Sequence, residues 1–265
     1  MSCRCLVKAR RHDLPQLREG NQAHAEQAAG LLLSTLPLTV CGAGAKGDAM
    51  KPYYEHGGIT IYHGDCRDVI AEWCPIHGMP PLFDLMLTDP PYGHGEKWSG
   101  GTWASNPIYA RAFQWDAQPA SPDTIATVLR LAHASIIWGG NYYRMEPSRC
   151  WLAWVKTSRM PTMADFELAW TDIDKPSKLY MANRNADGRR EHPTQKPVDL
   201  MKWCIAQVPG VRTIVDPFMG SGTTLRAAKD SGLSAIGIDR DEHYCEIAAR
   251  RLQQETLALD GEVTL

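Results

Sequence analysis

Two short stretches hold the side chains that could do chemistry: "LTDPPYG", residues 87–93, and "TIVDPFMGSGTT", residues 213–224. In the first, a carboxylate closes an apolar run and is followed by two prolines, a tyrosine and a glycine. A residue before proline is kept out of the helical region, and proline has a fixed φ and no N–H. The corner made by Asp89, Pro90, Pro91 and Tyr92 therefore offers acceptors and, at its two prolines, no amide donors. Its natural guest is a donor. A planar amino group can give one hydrogen to the Asp89 carboxylate and the other to a carbonyl such as that of Pro90, while Tyr92 covers the face of the attached ring. A plainer reading, a strand end capped by an acid and stopped by prolines, also fits the tetrapeptide alone.

In the second stretch an apolar strand ends at Asp216, Gly220 and Gly222 make a tight turn, and "TTLRAAKDSG" begins a helix that stops at Gly232. An open α/β sheet presents backbone N–H groups to a ligand in this way, at the carboxyl ends of its strands. A phosphate-binding P-loop needs lysine directly after the second glycine, where Thr223 stands, and a dinucleotide fingerprint needs a third glycine where Leu225 stands. Asp239 ends the next strand, "AIGID", near the interval of about 20 residues at which a carboxylate meets ribose hydroxyls in such folds. A glycine turn and an acid without a phosphate device suggest a nucleoside lacking a pyrophosphate. S-Adenosylmethionine is a ligand of that kind.

These groups need a sheet to hold them. "ITIYHGD", "LFDLMLTD", "ASIIWGG", "CWLAWVK", "DFELAWTD", "RTIVDPF" and "SAIGIDR" read as strands, and residues 122–133 as a helix capped by Ser121 with Pro122 in its first turn. Strands spaced by helical segments indicate βαβ units, hence an α/β fold with a mostly parallel sheet and helices on both faces. The chain of 265 residues, 44% hydrophobic and 22% charged, is sufficient for one large domain and argues against wholesale disorder. We read residues 1–49 as a weakly ordered extension and residues 50–265 as the folded domain, with small insertions at about 93–118 and 174–191. With 28 basic and 30 acidic side chains the net charge carries no nucleic-acid signature, so any such face is local. The local excess runs from Lys175 to Lys196, and its part from Lys175 to Arg190 is read as phosphate-contacting.

Eight cysteines without a repeating spacing speak against a disulfide framework and for a reducing compartment, the cytoplasm. Cys3 and Cys5 with His12 lack the spacing of common zinc sites, so no metal is expected. The run "GLLLSTLPLTVCGAGA" is too far from the N-terminus for a signal peptide and too short to cross a bilayer, so no membrane partner is expected.

"DPPY" at Asp89 to Tyr92, "DPFMGSGTT" at Asp216 to Thr224 and "HPTQKP" at His192 to Pro197 together resemble the amino-group DNA methyltransferases. The DPPY block precedes the glycine block, which is similar to the circularly permuted β-class order. The likeness runs over about residues 59–252. It implies a Rossmann-like, S-adenosylmethionine-dependent methyltransferase fold with a terminal reversed hairpin. It implies methylation of an exocyclic amine in double-stranded DNA with the target base flipped out, within a restriction-modification setting and with room for a homodimer. Carried over, Asp89 and the Pro90 carbonyl hold the target amine, with Pro91 completing the corner and Tyr92 stacking on the base. Phe218, Gly220, Gly222 and Thr223 line the cofactor, with Asp216 near its methionine end and Asp239 on its ribose. "GDC" nominates Asp65 for the adenine, and "HPTQKP" nominates Thr194 and Lys196 for the cofactor's carboxylate end. Asp65 and Asp239 also read as helix caps, and Lys196 as a solvated charge. Adenine N6 is preferred because the motif begins with Asp; cytosine N4, an RNA adenine and a binding protein without catalysis stay open. Trp98, Trp103 and Trp115 are read as closing on DNA or as core packing. About twenty residues between "ELAWTD" and "HPTQKP" leave little room for a recognition domain.

Overall fold

The computed structural model describes residues 50–73, 81–95, 114–158, 163–188, 192 and 194–254. The extension read over 1–49, together with Trp98, Trp103, Arg189 and Arg190, lies outside the described residues. Among those described, nine strands form one sheet: β1 (Tyr54–His56), β2 (Ile59–His63), β3 (Phe83–Thr88), β4 (Ala132–Trp138), β5 (Trp151–Lys156), β6 (Phe166–Thr171), β7 (Lys178–Ala182), β8 (Thr213–Asp216) and β9 (Ser234–Asp239). Their order is β1-β2-β9-β8-β3-β4-β6-β5-β7. The run β2-β9-β8-β3-β4 is parallel throughout. β6 lies antiparallel to both β4 and β5, which is the reversed hairpin the resemblance implied, and β7 adds parallel to β5.

Among the described residues, five helices cover the two faces: α1 (Cys66–Trp73), α2 (Pro122–Val128), α3 (Val198–Ile205), α4 (Thr223–Asp230) and α5 (Glu242–Gln253). Ile59, Ile61, Leu85, Leu87 and Ile214 pack beneath α3, α4 and α5, while Tyr62, Met86, Val215 and Ile236 pack beneath α1 and α2. Strands buried on both faces read as continuous apolar runs because neither face meets water. Each fully buried aliphatic side chain there contributes on the order of 1.5–3 kcal/mol. Cys66 and Cys245 sit in this packing, where burial pushes their thiols up to about 11 and about 12. No helix among the described residues is long and apolar enough to cross a membrane.

Two sequence expectations are corrected. Ser121 does cap α2, accepting from the Thr124 N–H at 3.1 Å, but the helix stops at Val128 and Ala132 and His133 belong to β4. Pairing of Phe83 with Ala132, continued along β3, overrides the local helical pattern there. The seven strands read from the sequence also omitted β1 and β7. Both are short outer strands, and β7 lies in the stretch read as a basic insertion, where Leu152 to Lys156 of β5 pair with it residue by residue.

The topology decides where the acids go. Parallel strands end on the same edge of the sheet, so Asp89 after β3, Asp216 on β8, Asp239 on β9 and Asp65 after β2 all emerge on one side. The crossover from β8 to β9 runs through α4 on one face, and that from β3 to β4 runs through α2 on the other. The crevice between neighbouring β8 and β3 is therefore a topological switch point, where open α/β sheets bind ligands.

Candidate active site

At this crevice the Thr88 hydroxyl donates to Asp216 Oδ1 at 2.7 Å and ties the two strand ends together. The chain then turns through the Asp89–Tyr92 corner. The N–H groups of Tyr92 and Gly93 donate to Asp116 Oδ1 at 2.8 and 2.9 Å, and the Ala120 N–H and the Tyr143 hydroxyl donate to the Pro91 carbonyl. These bonds fix a segment whose prolines cannot join a ladder. The Tyr92 ring lies close against Gly139, where an added Cβ would stand 2.0 Å from its Cε1, and Tyr142 stacks on it with centroids 4.8 Å apart.

Both oxygens of Asp89 are engaged: Oδ1 accepts the Tyr92 hydroxyl and Oδ2 the Lys196 ammonium. Lys196 also pairs with Glu167 Oε2 at 3.4 Å, and Glu167 Oε1 with Lys156 Nζ at 2.7 Å. Burial raises the Asp89 carboxyl above the usual carboxylate range, with Lys196 pulling it back. Burial disfavours the Lys196 ammonium, yet the two carboxylates outweigh it and hold the lysine above its ordinary range. For Glu167 burial is likewise outweighed, here by Lys196 and Lys156, and its carboxyl is held low.

Across the crevice, the glycine turn is built by close approach. Gly222 has φ 76°, and a Cβ there would lie 2.7 Å from the Ala248 Cβ, so glycine lets α4 begin against α5. The Gly220 N–H donates to Asp239 Oδ2 at 2.9 Å and the Asp241 N–H to Asp239 Oδ1 at 2.8 Å. Burial pushes the Asp239 carboxyl up to about 7 and that of Asp216 to about 6. Asp65 caps the start of α1: its carbonyl accepts from Asp68 and Val69, and its carboxylate accepts from the Arg67 N–H and guanidinium, whose bonds hold its carboxyl low. The Thr194 N–H donates to His192 Nδ1 at 3.3 Å, and the His192 ring stacks on Trp115 at 4.9 Å.

One cavity of about 900 Å³ joins the two halves, and every residue nominated from the sequence to hold the target amine or the cofactor lines it except Gly222, which acts from behind through helix packing. Its size is that of a small-molecule site. Trp115 lines it too, with its indole N–H on the Tyr244 hydroxyl at 3.2 Å. The reading of Lys196 as a solvated charge is overturned, since its side chain is only 2% exposed. The structure places its ammonium between Asp89 and Glu167. Glu167, Lys156, Gly139 and Tyr142 were not found from the sequence. A lone glutamate inside the apolar strand "FELAWT" and a lysine closing "WLAWVK" were the available signals.

The residues present suit an S-adenosylmethionine-sized ligand: a half-buried acid at a strand end for a diol, a glycine turn opening a helix, and a cavity large enough for it and a base. A family model described as DNA methylase matches residues 145–250. Type II methyltransferase M2.LlaDCHI of Lactococcus lactis subsp. cremoris is 45% identical over 258 residues, spanning 77% of this chain and 93% of that protein. Type II methyltransferase M.ScaI of Streptomyces caespitosus is 24% identical over 269 residues, spanning 79% and 86%. Among solved structures, the M1.HpyAVI-SAM complex matches with a TM-score of 0.51 and 23% identity over 73% of this chain and 99% of that one. The cytosine-N4-specific PvuII DNA methyltransferase matches with a TM-score of 0.51 and 15% identity over 78% and 91%. These two likenesses speak to the Rossmann-like fold.

Proposed function

Because the chain belongs to the N6/N4 DNA methylases of type II systems, we propose that it transfers a methyl group to the N6 amino group of a flipped adenine in double-stranded DNA. The observation that carries this reading is the Asp89 corner: an acceptor-rich, donor-poor turn opening into the same cavity as the glycine loop. When bound, S-adenosylmethionine supplies an electrophilic methyl group on its sulfonium sulfur. Asp239 would hold its ribose, Asp216 its methionine end, Asp65 its adenine and Thr194 its carboxylate end, with Phe218, Gly220 and Thr223 along its length.

An exocyclic amine is a poor nucleophile because its lone pair is spread into the ring. Asp89 and the Pro90 carbonyl accept its two hydrogens, which favours a pyramidal nitrogen whose lone pair forms the N–C bond as the S–C bond breaks; the sulfur leaves as a neutral thioether and the surplus amine proton passes to water. Placement supplies most of the acceleration, and no covalent intermediate is required. Extruding the base costs a few kcal/mol. Stacking on Tyr92, once Tyr142 yields that face, returns on the order of 1–3 kcal/mol. Asp at the first position of the motif favours adenine over cytosine.

The test is incubation with methyl-labelled S-adenosylmethionine and unmethylated genomic DNA, followed by nucleoside digestion and mass spectrometry. Labelled N6-methyladenine, absent with Asp89→Ala, is the expected result. N4-methylcytosine would overturn the base assignment, label on RNA alone would overturn the substrate, and cofactor binding without transfer would overturn catalysis.

The pH dependence of cofactor binding follows from Asp239. Its folded carboxyl, at about 7, lies above the unfolded value of about 3.9. The folded chain therefore carries the extra proton between about pH 4 and 7, and stability contributed by this group falls as pH rises through that window. Only the anion accepts both ribose hydroxyls, so affinity rises as pH passes 7. Equilibrium titration should find S-adenosylmethionine bound roughly tenfold more tightly at pH 8 than at pH 6, and Asp239→Asn should flatten the difference. An unchanged slope in that variant would remove Asp239 from the ribose.

A further inference from the structure

We propose that Lys196 is a positioning residue that holds Asp89 as an oriented anion for the target amine, and that Glu167 and Lys156 fix Lys196 for that task. The inference rests on the reading of Asp89 given above. Four charges of alternating sign form a line drawn from four separate elements: Asp89 from the corner after β3, Lys196 from the loop before α3, Glu167 from β6 and Lys156 from β5. The lysine side chains are 2% and 9% exposed, and the line sums to zero charge. The Lys196 ammonium is further enclosed by the Trp138 ring at 5.3 Å and the Tyr92 ring at 6.0 Å. Burial of a lone ammonium is expensive, so a lysine this enclosed is tied to its partners.

The chemistry of the amine explains why such a partner is needed. A protonated carboxyl presents one donor in place of an acceptor and would meet an N–H with an O–H. Burial pushes Asp89 toward that neutral form, and Lys196 opposes it. Lys196 also selects an orientation: its bond occupies Oδ2, leaving Oδ1 for the amine when the Tyr92 hydroxyl gives way. The same ammonium cannot turn to a cofactor carboxylate without abandoning both Asp89 and Glu167. The other titratable groups packed around the pair are Tyr92, Tyr143 with its hydroxyl on the Pro91 carbonyl, Asp216 across the crevice and the Cys204 thiol of α3.

The experiment is single-turnover methyl transfer from pH 6 to 9 at saturating S-adenosylmethionine and DNA, together with equilibrium cofactor binding, for Lys196→Met, Glu167→Gln and the double variant. The double variant removes one charge of each sign and guards against misfolding in the first, with circular dichroism as the check on fold. Lys196→Met and the double variant should lose about a hundredfold in rate at pH 7 and regain part of it as pH rises, moving the acid limb up by about one unit. Cofactor affinity should stay within about threefold, and Glu167→Gln should act in the same direction less strongly. A large loss of cofactor affinity with an unmoved pH profile would assign Lys196 to the cofactor and overturn the proposal. So would an unchanged rate and profile in a folded double variant. Failure of the underlying reading is separate: it would show as full activity in Asp89→Ala.

Discussion

Asp89→Asn is expected to lower single-turnover methyl transfer about a thousandfold, the scale of losing one preorganised polar group at a reacting centre, while cofactor affinity stays within about threefold. The substitution keeps the shape and removes the charge, so the effect is electrostatic and directional. Lys196 donates to Oδ2, which forces the amide oxygen of an asparagine into that position and its NH2 group into the position of Oδ1. That group then meets the target amine donor to donor. Alanine loses the acceptor but adds no such clash, so Asp89→Ala should be no worse than Asp89→Asn. Stopped assays with labelled cofactor and melting temperatures on both variants check the ordering. A loss below tenfold in a folded Asp89→Asn protein would mean that Asp89 does not hold the amine.

The bond between Lys196 and Asp89 is invisible in the sequence. The acids at the strand ends were legible because each strand is an apolar run that stops on a carboxylate, and parallel topology brings every such stop to one edge. The glycine turn was legible because Gly222 must take a left-handed φ, and the residue types after it exclude phosphate devices. Lys196 was legible as a motif member only. Its partner Glu167 lies 29 residues earlier on a strand that runs antiparallel to its neighbours, and nothing local tells which way that strand's glutamate faces. β1 and β7 were missed for a related reason. They are three and five residues long, and are defined by pairing with β2 and β5 rather than by their own periodicity. Tyr142 and Gly139 are ordinary loop residues until the fold sets them against Tyr92.

Gly139 supports the second large effect. It has φ 67°, and a Cβ added to it would stand 2.0, 2.3 and 2.7 Å from Cε1, Cζ and Cδ1 of Tyr92. Those atoms are the ring itself, anchored through the hydroxyl on its Cζ to Asp89 and stacked by Tyr142, so no flexible tip can give way. In Gly139→Ala the ring must shift by more than an ångström, carrying the base-stacking face away from the amine-holding acid. Displacements of that size cost about a hundredfold in rate. The left-handed backbone adds a penalty of about 1–2 kcal/mol, and with the clash the fold should lose roughly 2–4 kcal/mol. Gly210→Ala separates the two causes. Its φ is 79°, yet nothing lies within 4 Å of its added Cβ, so it carries the backbone penalty alone. Thermal melts should place Gly210→Ala about 1–2 kcal/mol below the parent with its methyl-transfer rate intact, and Gly139→Ala lower in both. Equal rates in the two variants would show that the packing of Tyr92 on Gly139 does not set the position of the base.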